Sequence, residues 1–390
     1  MRILILSCNT GEGHNTAAGA IRQVAEARGD AVEIFDALSY WPAGTNEFIC
    51  SGQRFLYKNA PSLFGVGYRF LELASEVDPD AEKAEKKKKQ TDKAISRLVK
   101  KPSAKLYEDL SAGRFDAVIC THVFALVMMT EIRRATGDFY PTFFVATDYT
   151  CSPGVNISDF EGCFIPDEGL TEEFVACGVP ADRLVATGIP IRAEFYESAP
   201  KAEAKARLGL PTDKRAVVLM SGSMGCGPIG RIAKKILKVI PDDTVLVTIC
   251  GRNERLYEQL SVLPQVGSSL FPVGFTREMS SYMDAAELII TKAGGLSSTE
   301  AAAKHLPIVF IDAIPGLEIH NRDFFFNLGL AAYGETPADI LEQIERLIGD
   351  PEQLERMREG LWARFNHRSA EEICDFVHRF APADPRTPEA

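Results

Sequence analysis

Short, almost wholly apolar runs recur along this chain, and several end in glycine-rich or small polar stretches that lead into a helical pattern. Residues 3–6, 32–35, 117–120, 142–146 and 162–165 form a first series, and residues 216–220, 244–250, 288–291 and 308–311 form a second. Runs without polar alternation are expected of strands covered on both faces, because neither face meets water. Strand, helix and strand in two successive series predict an α/β protein of two doubly wound domains. The break falls near residues 192–211, where "GLPTDK" interrupts the pattern. A chain of 390 residues exceeds one ordinary core and suffices for two.

Residues 17–28 read as the first crossover helix, closed near Gly29. Residues 37–74 are rich in aromatics and glycine and fit no simple unit. Residues 80–107 read as a charged helical insertion interrupted at Pro102. Later helices are expected over 201–208, 337–349, 351–365 and 370–380, and the Pro-rich tail "APADPRTPEA" reads as disordered.

The formal net charge of −11 argues against nucleic acid as the main partner. Its distribution is uneven: between Lys83 and Lys101, nine Lys/Arg face two acidic residues. Such a run is either a solvated helix face or a patch that meets anionic lipid head groups. No apolar stretch reaches the roughly 18 residues of a membrane span, and the opening residues are too short for a secretory leader. Nine scattered cysteines with no C-x-x-C pair read as reduced, mostly buried thiols of a cytosolic protein.

Ligands of α/β sheets bind beyond the carboxyl ends of the strands, and four loops there are rich in small residues. In "SCNTGEGHNTAA", Gly11 and Gly13 let the backbone approach a ligand, and His14 sits where a helix begins. A histidine there can take a proton or touch a phosphate; the loop also fits a purely structural turn. It is neither a dinucleotide fingerprint, because Thr16 stands at the third glycine position, nor a P-loop. The second loop contains Ser223, Met224 and Gly225, whose backbone N–H groups suit a diphosphate. The third runs from Lys292 through Gly294, Gly295, Leu296 and Ser297 to Glu300, an anion cradle with a carboxylate suited to a ribose diol. The fourth, "PGLEIHN", carries Glu318 and Asn321. Asp148 and His122 also follow apolar runs, and Phe275 either packs inside or flanks a base.

Taken in order, "TGEGH", "VATDYT", "ATGIPIRAEF", "GSMG", "VGFTREMSSYMDAAELIITKAGGLSSTEA" and "PGLEIHN" resemble the monogalactosyldiacylglycerol-synthase and processive diacylglycerol-glucosyltransferase group of glycosyltransferase family 28. The resemblance spans about residues 2–365. It implies a GT-B architecture of two Rossmann-like domains about a cleft. Residues 1–200 would form the acceptor-binding, membrane-facing domain and 201–365 the UDP-sugar domain. Residues 366–390 would supply a helix returning to the first domain and a flexible tail. It also implies an inverting transfer of a hexose from UDP-glucose or UDP-galactose to diacylglycerol or a glycosyl-diacylglycerol, with no cofactor and no metal. Carried over residue by residue, Gly13, Ser223, Met224, Gly225, Gly294, Gly295, Leu296 and Ser297 approach the donor phosphates. Phe275 and Thr276 then hold uracil, Glu300 the ribose, and Glu318 and Asn321 the sugar. His14 and Asp148 become the catalytic pair.

Three positions, in two loops, depart from the family pattern. Ser152 and Val155 stand where a histidine and a tryptophan are frequent, and Leu317 where a glutamine is frequent. The choice between glucose and galactose therefore stays open. A lipid acceptor implies peripheral docking on the cytoplasmic face of the cell membrane, with anionic lipids as partners. Trp41, Phe48, Tyr57 and His122 are the acceptor-side and membrane candidates. Two other readings share these motifs: a UDP-sugar transferase or epimerase with a different substrate, and a non-catalytic nucleotide-sugar-binding membrane protein. Release of UDP that depends on diacylglycerol separates them.

Overall fold

The computed structural model describes residues 1–9, 12–41, 81–225, 227–311 and 317–380, without the side chains of 81–95. The chain divides into two compact units, one comprising Met1–Arg192 with Arg368–Ala390 and the other Ala193–His367.

In the first unit, β1 (Arg2–Ser7), β2 (Ala31–Asp36), β3 (Ala117–Cys120), β4 (Thr142–Val145), β5 (Gly162–Ile165) and β6 (Leu184–Ala186) form one sheet in the order β2-β1-β3-β4-β5-β6. Every pairing is parallel. The order reverses between β1 and β3, the crevice where doubly wound sheets place ligands. Helix α1 (Glu12–Ala27) packs Ala18, Ile21 and Ala25 on Ile3, Ile5 and Ile119. The last helix of the chain, Ser369–His378, joins the same core through Ile373, Cys374 and Val377. There His378 Nε2 lies 2.8 Å from Asp30, which also binds the terminal amine of Met1 at 2.7 Å.

Helix α2 (Ala81–Gly113) corrects the expected break, because it runs straight through Pro102. A proline inside a helix costs about 3 kcal/mol. Val99, Leu106 and Leu110 share one buried face with Pro102, and each buried side chain contributes roughly 1.5–3 kcal/mol, so packing outweighs the lost hydrogen bond. That face lies along α3 (Val123–Thr136). Arg97, Lys100, Lys101 and Lys105 are exposed on α2.

The second unit opens with α4 (Lys201–Arg207), after which β7 (Arg215–Met220), β8 (Thr244–Ile249), β9 (Leu270–Val273), β10 (Leu288–Thr291), β11 (Ile308–Phe310) and β12 (Ala331–Tyr333) pair in the order β12-β11-β10-β7-β8-β9. All are parallel, and the order reverses between β7 and β10. Val217, Leu219, Leu246, Leu288 and Ile290 centre its core. Strands β6, β9 and β12 have no counterpart among the expected runs. All three lie at sheet edges.

Candidate functional site

The crevice of the first unit is built around His14, in the first turn of α1 beside Gly13. A polar chain braces the approach from β1. Ser7 donates to Asn15 at 2.6 Å, Asn15 to Asn9 at 2.6 Å, and Asn9 to Asp36 at 3.0 Å. Thr10 and Gly11 lie outside the described residues. The His14 ring reaches across to the end of β3, where its Nδ1 meets the carbonyl oxygen of Thr121 at 2.8 Å. A carbonyl only accepts, so Nδ1 carries the proton and Nε2 keeps its lone pair. The hydroxyl of Thr147, one residue before Asp148, lies 3.0 Å from the same Nδ1. Burial lowers the His14 pKa to about 4, against a smaller raising effect of the Thr121 hydrogen bond.

His122 is committed differently. Its Nδ1 accepts from the N–H of Phe124 at 3.1 Å and caps α3. Its ring stands edge-on to His14 with centroids 4.5 Å apart. Burial, and then the charge of His14, push its pKa well down. Asp148 is half-buried in the loop after β4. A cavity of about 410 Å³ opens on the outer face of α1, lined by Asn15, Thr16, Gly19, Arg22, Gln23, Glu26 and Arg192.

Of the aromatics expected at a lipid surface, Trp41 is only 7% exposed and lies 6.5 Å from Phe124, packed inside the unit. Phe48 and Tyr57 fall outside the described residues, as does the tail 381–390.

In the second unit, five strand ends contribute to one edge. After β7, Ser221 to Gly225 form a tight turn in which Gly225 N–H donates to the carbonyl of Gly222 at 3.2 Å. Gly225 has φ +56°, and a side chain there would meet the carbonyl of Cys250, so glycine is required. The loop after β8 braces this turn. Arg252 N–H donates to Ser223 O at 2.9 Å, and Asn253 Nδ2 to Gly225 O at 2.8 Å. After β9, Phe275 is 53% exposed with the Arg252 guanidinium 5.1 Å from its ring centroid. Thr276 Oγ1 accepts from Glu278 N–H at 3.0 Å.

After β10, Gly294 caps helix α5 (Gly295–Ala303) with no side-chain bond to its first amides. That end carries partial positive charge and suits an anion. Leu296 and Ser297 lie in its first turn, half-buried, and Glu300 is buried further along. After β11, helix α6 (Leu317–Asn327) starts at Leu317, one of the positions that depart from the family pattern. Buried Asn321 donates to the carbonyl of Ala293 at 2.9 Å and holds the turn before Gly294. Glu318 pairs with the Lys292 ammonium. Met224 is exposed at the first turn, while Pro315 and Gly316 lie outside the described residues.

Lys292 and Arg252 were absent from the site residues expected from sequence. Lys292 had one signal, its place directly after an apolar run and before two glycines; Arg252 had the glycine that precedes it. Among the described residues no group of three His, Cys, Asp or Glu side chains suits a metal ion.

Residues 14–191 match the monogalactosyldiacylglycerol (MGDG) synthase family, and residues 216–373 match the glycosyltransferase family 28 C-terminal domain. The chain belongs to this group of family 28 glycosyltransferases. Among relatives of this family 28 protein is the processive diacylglycerol beta-glucosyltransferase of Bacillus pumilus. It is 26% identical over 386 residues, covering 96% of this chain and 94% of the relative. The enzyme of that name from Bacillus subtilis is 27% identical over 379 residues, with the same coverage. The fold also resembles MurG of Acinetobacter baumannii, with a TM-score of 0.64 at 15% identity over 97% of this chain and all of that one. The glycotransferase of kitacinnamycin likewise gives 0.64, at 14% identity over 98% of this chain and 99% of that one. The two units are thus the Rossmann-like domains of a GT-B fold.

Proposed function

We propose that this family 28 glycosyltransferase moves a hexose from a UDP-sugar to diacylglycerol, or to a glycosyl-diacylglycerol, with inversion at the anomeric carbon. Relatives that carry the name diacylglycerol beta-glucosyltransferase align over 96% of the chain and support the acceptor and donor classes. The observation that carries the chemistry is the fixed tautomer of His14, which leaves Nε2 ready to accept a proton.

In the proposed step the acceptor hydroxyl oxygen bonds to the anomeric carbon while the bond from that carbon to the β-phosphate oxygen breaks. The hydroxyl proton passes to His14 Nε2, with Asp148 as the second catalytic candidate. The electron pair of the broken bond leaves with UDP. Backbone amides of residues 223 and 224 and of the first turn of α5 then face the departing diphosphate, a preorganised alternative to a metal cation. Phe275 and Thr276 hold uracil, Glu300 holds the ribose diol, and Glu318 and Asn321 read the hexose.

Diacylglycerol resides in a bilayer, and among the described residues no helix is long and apolar enough to cross one. Docking therefore falls to a surface, and the exposed Arg97, Lys100, Lys101 and Lys105 of α2 supply charge for anionic lipids on the cytoplasmic face.

Incubation with diacylglycerol vesicles and either UDP-glucose or UDP-galactose, followed by mass analysis of the lipid, tests the reading. A hexosyl lipid and acceptor-dependent UDP release are expected, both abolished by His14→Ala. Turnover unchanged in both His14→Ala and Asp148→Asn would reject the assigned roles.

A further inference from the structure

The second unit holds a charge pair at its switch point, of which the transfer chemistry above uses only Glu318 and leaves Lys292 without a role. Lys292 closes the strand β10, and its side chain passes between the two glycine turns that flank the crevice. Its Cε lies 3.3 Å from where a Cβ on Gly222 would sit, and its ammonium 3.8 Å from the corresponding point on Gly294. The ammonium pairs with Glu318, whose side chain is only 7% exposed while that of Lys292 is 25% exposed. The carboxylate is the more deeply buried partner and the lysine the more accessible one.

A surface pair of this kind contributes little and is exchanged for water readily. Here the carboxylate has almost no water to turn to, so it holds the lysine stem in place between the two turns. Without a ligand the pair is neutral. A diphosphate entering the crevice finds the N-terminal end of α5 and an ammonium already in position. The electrostatic balance then shifts from one carboxylate to two phosphates.

We infer that Lys292 is the cation that neutralises the diphosphate of the donor, and that Glu318 is the internal counter-ion which stores that cation between turnovers. The inference rests on the donor-site reading above and adds a charged residue to it. Glu318 thereby opposes nucleotide binding while it positions Lys292. The pair resists diphosphate through one member and attracts it through the other, which sets how quickly UDP leaves.

Equilibrium binding of UDP and of uridine to Lys292→Met, Glu318→Gln and the double variant tests this. Lys292→Met should weaken UDP about tenfold to a hundredfold, the range for a hydrogen bond to a charged group, and flatten its salt dependence. Uridine, which lacks phosphates, should bind as before. Glu318→Gln should tighten UDP severalfold, and the double variant should recover part of the loss because no unpaired carboxylate remains. If the pair is only a strut, Glu318→Gln weakens UDP in step with Lys292→Met, and the assignment fails. Should Lys292→Met not fold, Glu318→Gln decides alone through the sign of its effect, with its thermal midpoint measured alongside. Wild-type protein that binds uridine and UDP equally also overturns the assignment. Wild-type protein that binds neither overturns the donor-site reading, and this assignment with it.

Discussion

At the crevice between β1 and β3, burial keeps His14 and His122 neutral, and their contacts run to a carbonyl, a hydroxyl and a backbone N–H. At the crevice between β7 and β10, a lysine and a carboxylate face each other among glycine turns. The two sheets share an architecture, and their crevices treat charge in opposite ways. A group that must accept a proton needs a free lone pair, which neutrality and a fixed tautomer supply. A group that must hold a leaving dianion needs positive charge standing ready, which neutrality cannot supply.

Substitution at each crevice sharpens the contrast. Removing the proposed base by His14→Ala should lower kcat/KM for hexose transfer by about 10²- to 10⁴-fold while leaving UDP affinity intact. A parallel loss of UDP affinity, measured by calorimetry, would show that the crevices are not separable in this way. Gly225→Ala forces a side chain onto a left-handed backbone and into the Cys250 carbonyl. Strain of about 1–3 kcal/mol should weaken UDP about tenfold or more, with vesicle binding unchanged. Thr147→Val removes one of two oxygens at His14 Nδ1 and leaves the Thr121 carbonyl in place, so turnover should fall about tenfold or less. A fall as deep as that of His14→Ala would transfer the tautomer's control to Thr147.

Two smaller effects follow. Exchanging Lys100, Lys101 and Lys105 for glutamine should weaken binding to anionic vesicles severalfold at low salt. The difference should vanish at high salt, and UDP affinity should not move.

The pH effect has a defined sign. The His14 pKa in the native protein, about 4, lies below its ordinary 6.5. Between these values the unfolded chain binds a proton that the native chain does not, so stability is complete above pH 6.5 and declines as pH falls toward 4. The denaturant midpoint of His14→Gln should therefore change less between pH 7 and pH 4.5 than that of the wild type. Equal changes would mean that His14 is not held neutral by burial.

The buried strands were legible in sequence because parallel strands covered on both faces leave unbroken apolar runs. The strands that escaped are edge strands: β6 and β12 have three residues each, and β9 contains Pro272. A strand with one neighbour needs little apolar signal and tolerates a missing N–H. Pro102 misled in the opposite direction, because its penalty is local while the burial of Val99, Leu106 and Leu110 that offsets it is not.

The site followed the same division. Glycine turns announce themselves within a few residues, so the loops near Gly13, Gly225 and Gly294 were visible. The tautomer of His14 depends on a carbonyl 107 positions away, and Lys292 meets its counter-ion 26 positions away. No short window holds those facts.

The closing helix, Ser369–His378, has a consequence for synthesis. Ile373, Cys374 and Val377 fill the core beneath the first strand and first helix, although the whole second unit lies between them in the chain. During translation the second unit is the first to have its full complement of residues. The amino-terminal half must wait, with part of its apolar surface uncovered, until residues 369–378 have been made.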